Sequence, residues 1–261
     1  MEVIIRKDKE SATKLVAKVI RDAVDADPSM VLGLATGRTM EALYDELVKL
    51  YDAQKVSFSR CSSFNLDEYV GLSQKDPNSY RSYMNKWLFD RTDFVRPKTH
   101  VPHGDALDLE AECNMYEAKI AAVKGIDLQL LGIGSSGHIG FNEPMSSLRS
   151  LTRVKALTPA TIEQNSPLFD NPEDMPRRSI TMGVDTILKS SRAILLATGS
   201  SKASIIAKAV EGPLSSVVTA SALQMHKHCT IVVDEEAAAE LQHREYYDWV
   251  FNNEPEWEEY R

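Results

Sequence analysis

The stretch LLGIGSSGHIGFNEP, residues 130–144, displays His138, Asn142 and Glu143 in a loop punctuated by Gly132, Gly134 and Gly137. A histidine titrates near neutral pH, and a carboxylate five residues on can orient it as a proton carrier. The same glycines spell G-x-G-x-x-G, the dinucleotide-binding fingerprint. That fingerprint needs a strand before it, a helix opening inside it and an acid about 20 residues on for the ribose. The apolar run IDLQLLGIG (126–134) supplies the strand. Gly137, Gly140 and Pro144 argue against the helix, and no Asp or Glu lies between Glu143 and Glu163. The expectation is therefore a flexible ligand loop at the carboxyl end of a strand, with no dinucleotide cofactor. Its glycines let backbone approach a ligand closely.

Three further segments carry chemistry. FNLDEYVG (64–71) sets Asp67 and Glu68 just past a strand end. Adjacent acids are usually solvated; the functional alternative is a general base whose pKa is set by partial burial. LGLATGRT and ILLATGSSK each run strand, Ala-Thr-Gly, helix, and free N–H groups at a helix N-terminus favour anions. The first offers Thr36, Gly37, Arg38 and Thr39; the second offers Ser200, Ser201 and Lys202. Neither has the G-x-x-x-x-G-K-[ST] spacing, so a monophosphate is the expected guest. The other histidines, His100, His103, His226, His228 and His243, form no ligand set with His138, and no metal is expected.

The elements that must position these residues follow from apolar patterning. Strands are expected at 2–6, 30–35, 62–66, 126–134, 192–199 and 229–234, and helices at 11–26 (Ser11 as N-cap), 40–53, 108–123 and 202–212. Alternation of apolar strands with amphipathic helices predicts an α/β, Rossmann-like, mostly parallel sheet with helices on both faces, in a single domain over 1–261. Proline-bearing stretches 73–79, 142–146 and 158–178 are candidate lids or binding loops. A formal net charge of −8 argues against a nucleic-acid or anionic-membrane partner, and Cys61, Cys113 and Cys229 read as free thiols. With neither a signal peptide nor a membrane span in the pattern, the expected compartment is the cytoplasm. The aromatic end 242–261 (Tyr246, Tyr247, Trp249, Phe251, Trp257) is expected to dock rather than hang free.

FNLDEYVGL, GIGSSGHIGFNEP, SSLRSLTRVKALT and TGSSKASIIAKAVEG, in this order and spacing, resemble the glucosamine-6-phosphate deaminases, from VLGLATG to VVDEEAAAEL. The resemblance implies conversion of glucosamine 6-phosphate and water to fructose 6-phosphate and ammonia, without metal or organic cofactor. It implies that His138 assists ring opening, that Asp67 moves the C2 proton to C1 and that Glu143 holds His138. It also assigns the phosphate to the Thr36–Gly37 loop and Lys202. Ser136 stands at a catalytic position that usually holds Asp or Asn, Pro167 where many members have a phosphate-binding arginine, and GRTM for the commoner GGTP. Arg38 is expected to replace the missing arginine. Some members are hexamers activated by N-acetylglucosamine 6-phosphate, and the matching effector positions here are Ser146, Arg153 and Lys155, with Ala156 in place of a frequent threonine. A homo-oligomer, up to a hexamer, is therefore expected. The alternatives are a related sugar-phosphate isomerase, a 6-phosphogluconolactonase and a sugar-phosphate sensor; the retained Asp67, His138 and Glu143 weigh against the sensor.

Overall fold

The computed structural model describes residues 1–261. Its main sheet has seven parallel strands in the order β1-β10-β9-β6-β2-β3-β5. These are β1 (Glu2–Arg6), β2 (Val31–Leu34), β3 (Ser62–Asn65), β5 (Thr99–His100), β6 (Leu128–Leu131), β9 (Arg192–Ala197) and β10 (Cys229–Asp234). Every residue of β2, β6 and β10 is buried, as expected of parallel strands covered on both faces. The expected α/β class and its strands are thus found, each within a few residues of its apolar run.

Helix α1 (Lys9–Ala26) packs beside α2 (Arg38–Asp52), and α4 (Leu109–Ala122) sets Tyr116 edge-on against Phe64 of β3. The N-cap of α1 is Asp8, not Ser11. The Asp8 carboxylate accepts from the Ser11 N–H at 2.7 Å and the Ser11 hydroxyl reaches back, so Ser11 sits at the third helical position of a capping box. Helices α3 (Tyr80–Trp87), α5 (Pro159–Asn165), α6 (Val184–Leu188), α7 (Ala203–Val210) and α8 (Arg244–Asn253) complete the set. No helix is long and apolar enough to cross a membrane.

A second sheet has no counterpart in the sequence reading. It is antiparallel, ordered β4-β8-β7, from β4 (Asp67–Tyr69), β8 (Arg178–Thr181) and β7 (Arg153–Ala156). Its register puts Asp67, Thr181 and Arg153 in one row and Tyr69, Ser179 and Lys155 in the next but one. Period-two alternation sets both rows on the same face. A small apolar cluster of Tyr69, Phe141, Leu157, Phe169 and Met175 ties this sheet to the 158–178 segment. The C-terminal residues lie against β1: Trp257 is buried and donates from Nε1 to Glu2 at 3.0 Å, and the Arg6 guanidinium lies over the Phe251 ring.

Candidate active site

In the main sheet, the chain leaves β2 toward β3 on one side, whereas β6 is followed by β9 on the other. The crevice between the carboxyl ends of β2 and β6 is therefore a topological switch point, where open α/β sheets hold ligands. The glycine loop after β6 and the Ala-Thr-Gly loop after β2 meet there. A Cβ on Gly132 would touch Met40 of α2 at 3.4 Å.

Within the glycine loop, His138 Nδ1 lies 3.1 Å from Glu143 Oε2 and 2.9 Å from the Ser136 hydroxyl. Burial alone would raise the Glu143 pKa. Hydrogen bonds from His138 and Thr161, the histidine's charge and the Thr158 N–H (3.1 Å) outweigh it and hold the carboxyl down at about 2. An ionised Glu143 can only accept, so Nδ1 carries the proton, and Nε2 is the ring nitrogen left for the crevice. Gly134 makes room for that ring: a Cβ there would fall 2.1 Å from Nε2. The Thr158 N–H is a contributor that the sequence reading passed over, although Thr-Pro at 158–159 is a helix-start signal, with Pro at the first position of α5.

Asp67 and Glu68 are both buried, contrary to the expectation that adjacent acids are solvated; pairing of β4 with β8 removes them from water. Their roles diverge because a strand sends neighbours to opposite faces. Glu68 accepts three backbone N–H groups, from Tyr69 (2.9 Å), Tyr80 (2.9 Å) and Arg81 (3.1 Å), and so clamps the start of α3 to the strand. Asp67 has no such partner. Its carboxylate faces Gly140, whose Cβ would stand 3.5 Å from Oδ2 and 2.9 Å from the Thr181 hydroxyl. Burial, then the neighbouring Glu68, push the Asp67 carboxyl up to about 8. A desolvated carboxylate of raised pKa beside a glycine loop is equipped to take a proton from carbon.

The two Ala-Thr-Gly loops differ in the structure. Gly37 has φ +115 and starts α2 without a side-chain cap, leaving the Arg38 and Thr39 N–H groups free, with Thr36 at the strand end and the Arg38 side chain exposed. The loop after β9 is filled from within: the Gly199 N–H bonds both Asp234 carboxylate oxygens at 3.0 Å and the Ser200 N–H bonds Glu236 at 3.2 Å. Ser200 and Ser201 are exposed. Lys202 alone crosses over, donating to the Ile133 carbonyl at 2.8 Å, with its pKa lowered by burial. The Gly137 backbone (φ +83) packs against Val218 and Ile205 with no room for a side chain.

Ser146, Arg153 and Lys155 lie just beyond this machinery. The Ser146 N–H bonds the Glu143 carbonyl at 3.0 Å, and its hydroxyl is buried without a partner. Arg153 donates to Asn142 Oδ1 at 2.8 Å and leaves Nη2 buried and unpaired; Lys155 follows on the same face of β7. Asn142 in turn donates to the Ile139 and Met182 carbonyls, each at 2.8 Å. Pro167 is exposed in a 3-10 turn, Ser166–Leu168, and offers an anion no donor.

These features define a doubly wound α/β protein that gathers a histidine–carboxylate pair, a buried aspartate and an uncapped helix N-terminus at its switch point. The family model described as glucosamine-6-phosphate isomerases/6-phosphogluconolactonase matches residues 7–232, and the chain belongs to that family. It is 51% identical to a glucosamine-6-phosphate deaminase of Shewanella loihica over 247 residues, covering 95% of this chain and 92% of that one. It is 50% identical to one of Cellvibrio japonicus, covering 95% and 94%. A solved structure of a monomeric glucosamine-6-phosphate deaminase superposes with a TM-score of 0.90 at 42% identity, over 92% of this chain and all of that one. A 6-phosphogluconolactonase of Thermotoga maritima shares the fold alone, at a TM-score of 0.70 and 19% identity over 89% of this chain and 98% of that one.

Proposed function

We propose that this protein is a glucosamine-6-phosphate deaminase. The observation that carries the reading is the buried Asp67 carboxylate, free of protein hydrogen bonds, set against the loop in which Glu143 orients His138. His138 Nε2 takes the proton of the C1 hydroxyl and returns it to the ring oxygen, opening the pyranose to an aldehyde. The C2–H is then acidic, because its electron pair can move toward the C1 carbonyl. Asp67 removes that proton and delivers it to C1, while a proton of the amino group passes to O1, so that C1 becomes a hydroxymethyl group and C2 an imine. Water adds to C2, ammonia departs, and the ketose phosphate remains. Ser136, bonded to His138 Nδ1, supports the tautomer without the charge an acid would bring. The phosphate sits on the Thr36–Thr39 turn, with Gly132 and Gly134 leaving the backbone close to the sugar, Arg38 over the anion and Lys202 alongside.

The test is formation of ammonia and fructose 6-phosphate from glucosamine 6-phosphate, with Asp67→Asn as control. Equimolar products that vanish in the control are expected; tight sugar-phosphate binding without turnover would sink the reading in favour of a sensor. A homo-oligomer, and activation by N-acetylglucosamine 6-phosphate through Ser146, Arg153 and Lys155, complete the reading. The support for the effector site is the pair of unpartnered buried donors, Ser146 Oγ and Arg153 Nη2, next to the loop of Glu143. The same assay with the acetylated sugar phosphate added tests it, and a hyperbolic curve that the additive leaves unchanged would remove that part alone.

A further inference from the structure

We propose that Tyr83 is a positioning residue for the phosphate loop: its hydroxyl, carried by α3, fixes the direction of the Gly37–Arg38 peptide and thereby aims the Arg38 N–H at the anion. The inference rests on the deaminase reading only for the identity of that anion.

The Gly37 carbonyl accepts from the Tyr83 hydroxyl at 2.8 Å and from the Met40 N–H at 2.9 Å. In a planar trans peptide the carbonyl and the following N–H point in opposite directions. Holding the Gly37 oxygen toward α3 therefore turns the Arg38 N–H the other way, into the open end of α2. Such anchoring is needed here. Gly37 sits at φ +115, where a glycine backbone has little steric preference of its own, and no side chain caps the helix. The Tyr83 ring is itself held, with Tyr80 at 6.5 Å and Trp87 at 6.3 Å between ring centroids. Burial raises its pKa, so the hydroxyl stays a donor at neutral pH. The start of α3 is in turn fixed by Glu68, the residue after Asp67. One short helix thus sets the spacing between the base and the anion site.

The experiment compares the wild-type chain with Tyr83→Phe, which keeps the ring and loses only the hydroxyl. Calorimetry with inorganic phosphate and steady-state ammonia release are both measured. The expected result is weaker phosphate binding and a raised KM, each by about threefold to tenfold, the scale of one neutral hydrogen bond. The kcat and the pH profile stay as in the wild type. Unchanged phosphate affinity and KM would overturn the proposal, as would a fall in kcat at constant KM. Unfolding of Tyr83→Phe would also count against it, since the hydroxyl would then serve stability rather than aim. No phosphate binding by a wild-type chain that releases ammonia would overturn it as well. A wild-type chain that binds phosphate but releases no ammonia overturns the deaminase reading instead, and the phosphate titrations still decide Tyr83.

Discussion

Asp67 illustrates how a single residue can work against the fold that holds it. Its carboxyl is raised to about 8 in the folded chain, whereas an unfolded aspartate titrates near ~4. Between those values the folded state keeps a proton that the unfolded state has released, so this group makes stability fall as pH rises through the window. Asp67→Asn has no such dependence. At pH 8 its melting midpoint is expected to exceed that of the wild type by a few degrees, on the order of 2–6 °C for about 1–2 kcal/mol. The gap should close toward pH 4 while ammonia release is lost; a variant less stable than wild type at pH 8 would refute the account. Glu143 has the opposite sign. Lowered to about 2, its contribution is full above the ordinary carboxylate range, fades as the pH falls from about 4.5 and is gone below about 2. The histidine and its carboxylate were legible in sequence because six consecutive residues of one loop contain both. The burial of Asp67 was not, because its cause is pairing with Thr181, a contact with no local trace.

Among elements, the parallel strands other than β5, whose two residues leave no pattern, and the long helices announce themselves by apolar runs and by helical periodicity, and they stand within a few residues of where those patterns put them. The antiparallel sheet stays hidden because β4 is only Asp-Glu-Tyr and β7 is Arg-Val-Lys-Ala, too short and too polar to alternate convincingly. Its strands are also joined only by contacts distant in sequence. The start of α2 is an element-scale device: a free turn of N–H groups plus Arg38, whose side chain has no hydrogen bond or ion pair within the chain. Since Pro167 offers no donor, Arg38→Ala is expected to raise KM for glucosamine 6-phosphate by about tenfold, a charge-assisted bond's worth, with kcat little changed. An unchanged KM would show that Lys202 and the backbone suffice.

At the scale of the whole molecule, strand order decides where chemistry can occur, and the switch point between β2 and β6 collects the loops that follow those two strands. The Ala-Thr-Gly plan occurs twice along that edge, yet only the copy after β2 is open. The other already holds Asp234 and Glu236, whose carboxylates stand permanently where a soluble anion would. The consequence is one of counting. Phosphate titrated into the wild-type chain is expected to find this second loop closed. The double variant Asp234→Asn with Glu236→Gln, which removes both resident negative charges, is expected to take up one weak equivalent more than the wild type. An equal count in the two chains would mean that the resident carboxylates do not bar a guest; a higher count in the variant makes them a lifelong tenant that withholds one anion site from the molecule.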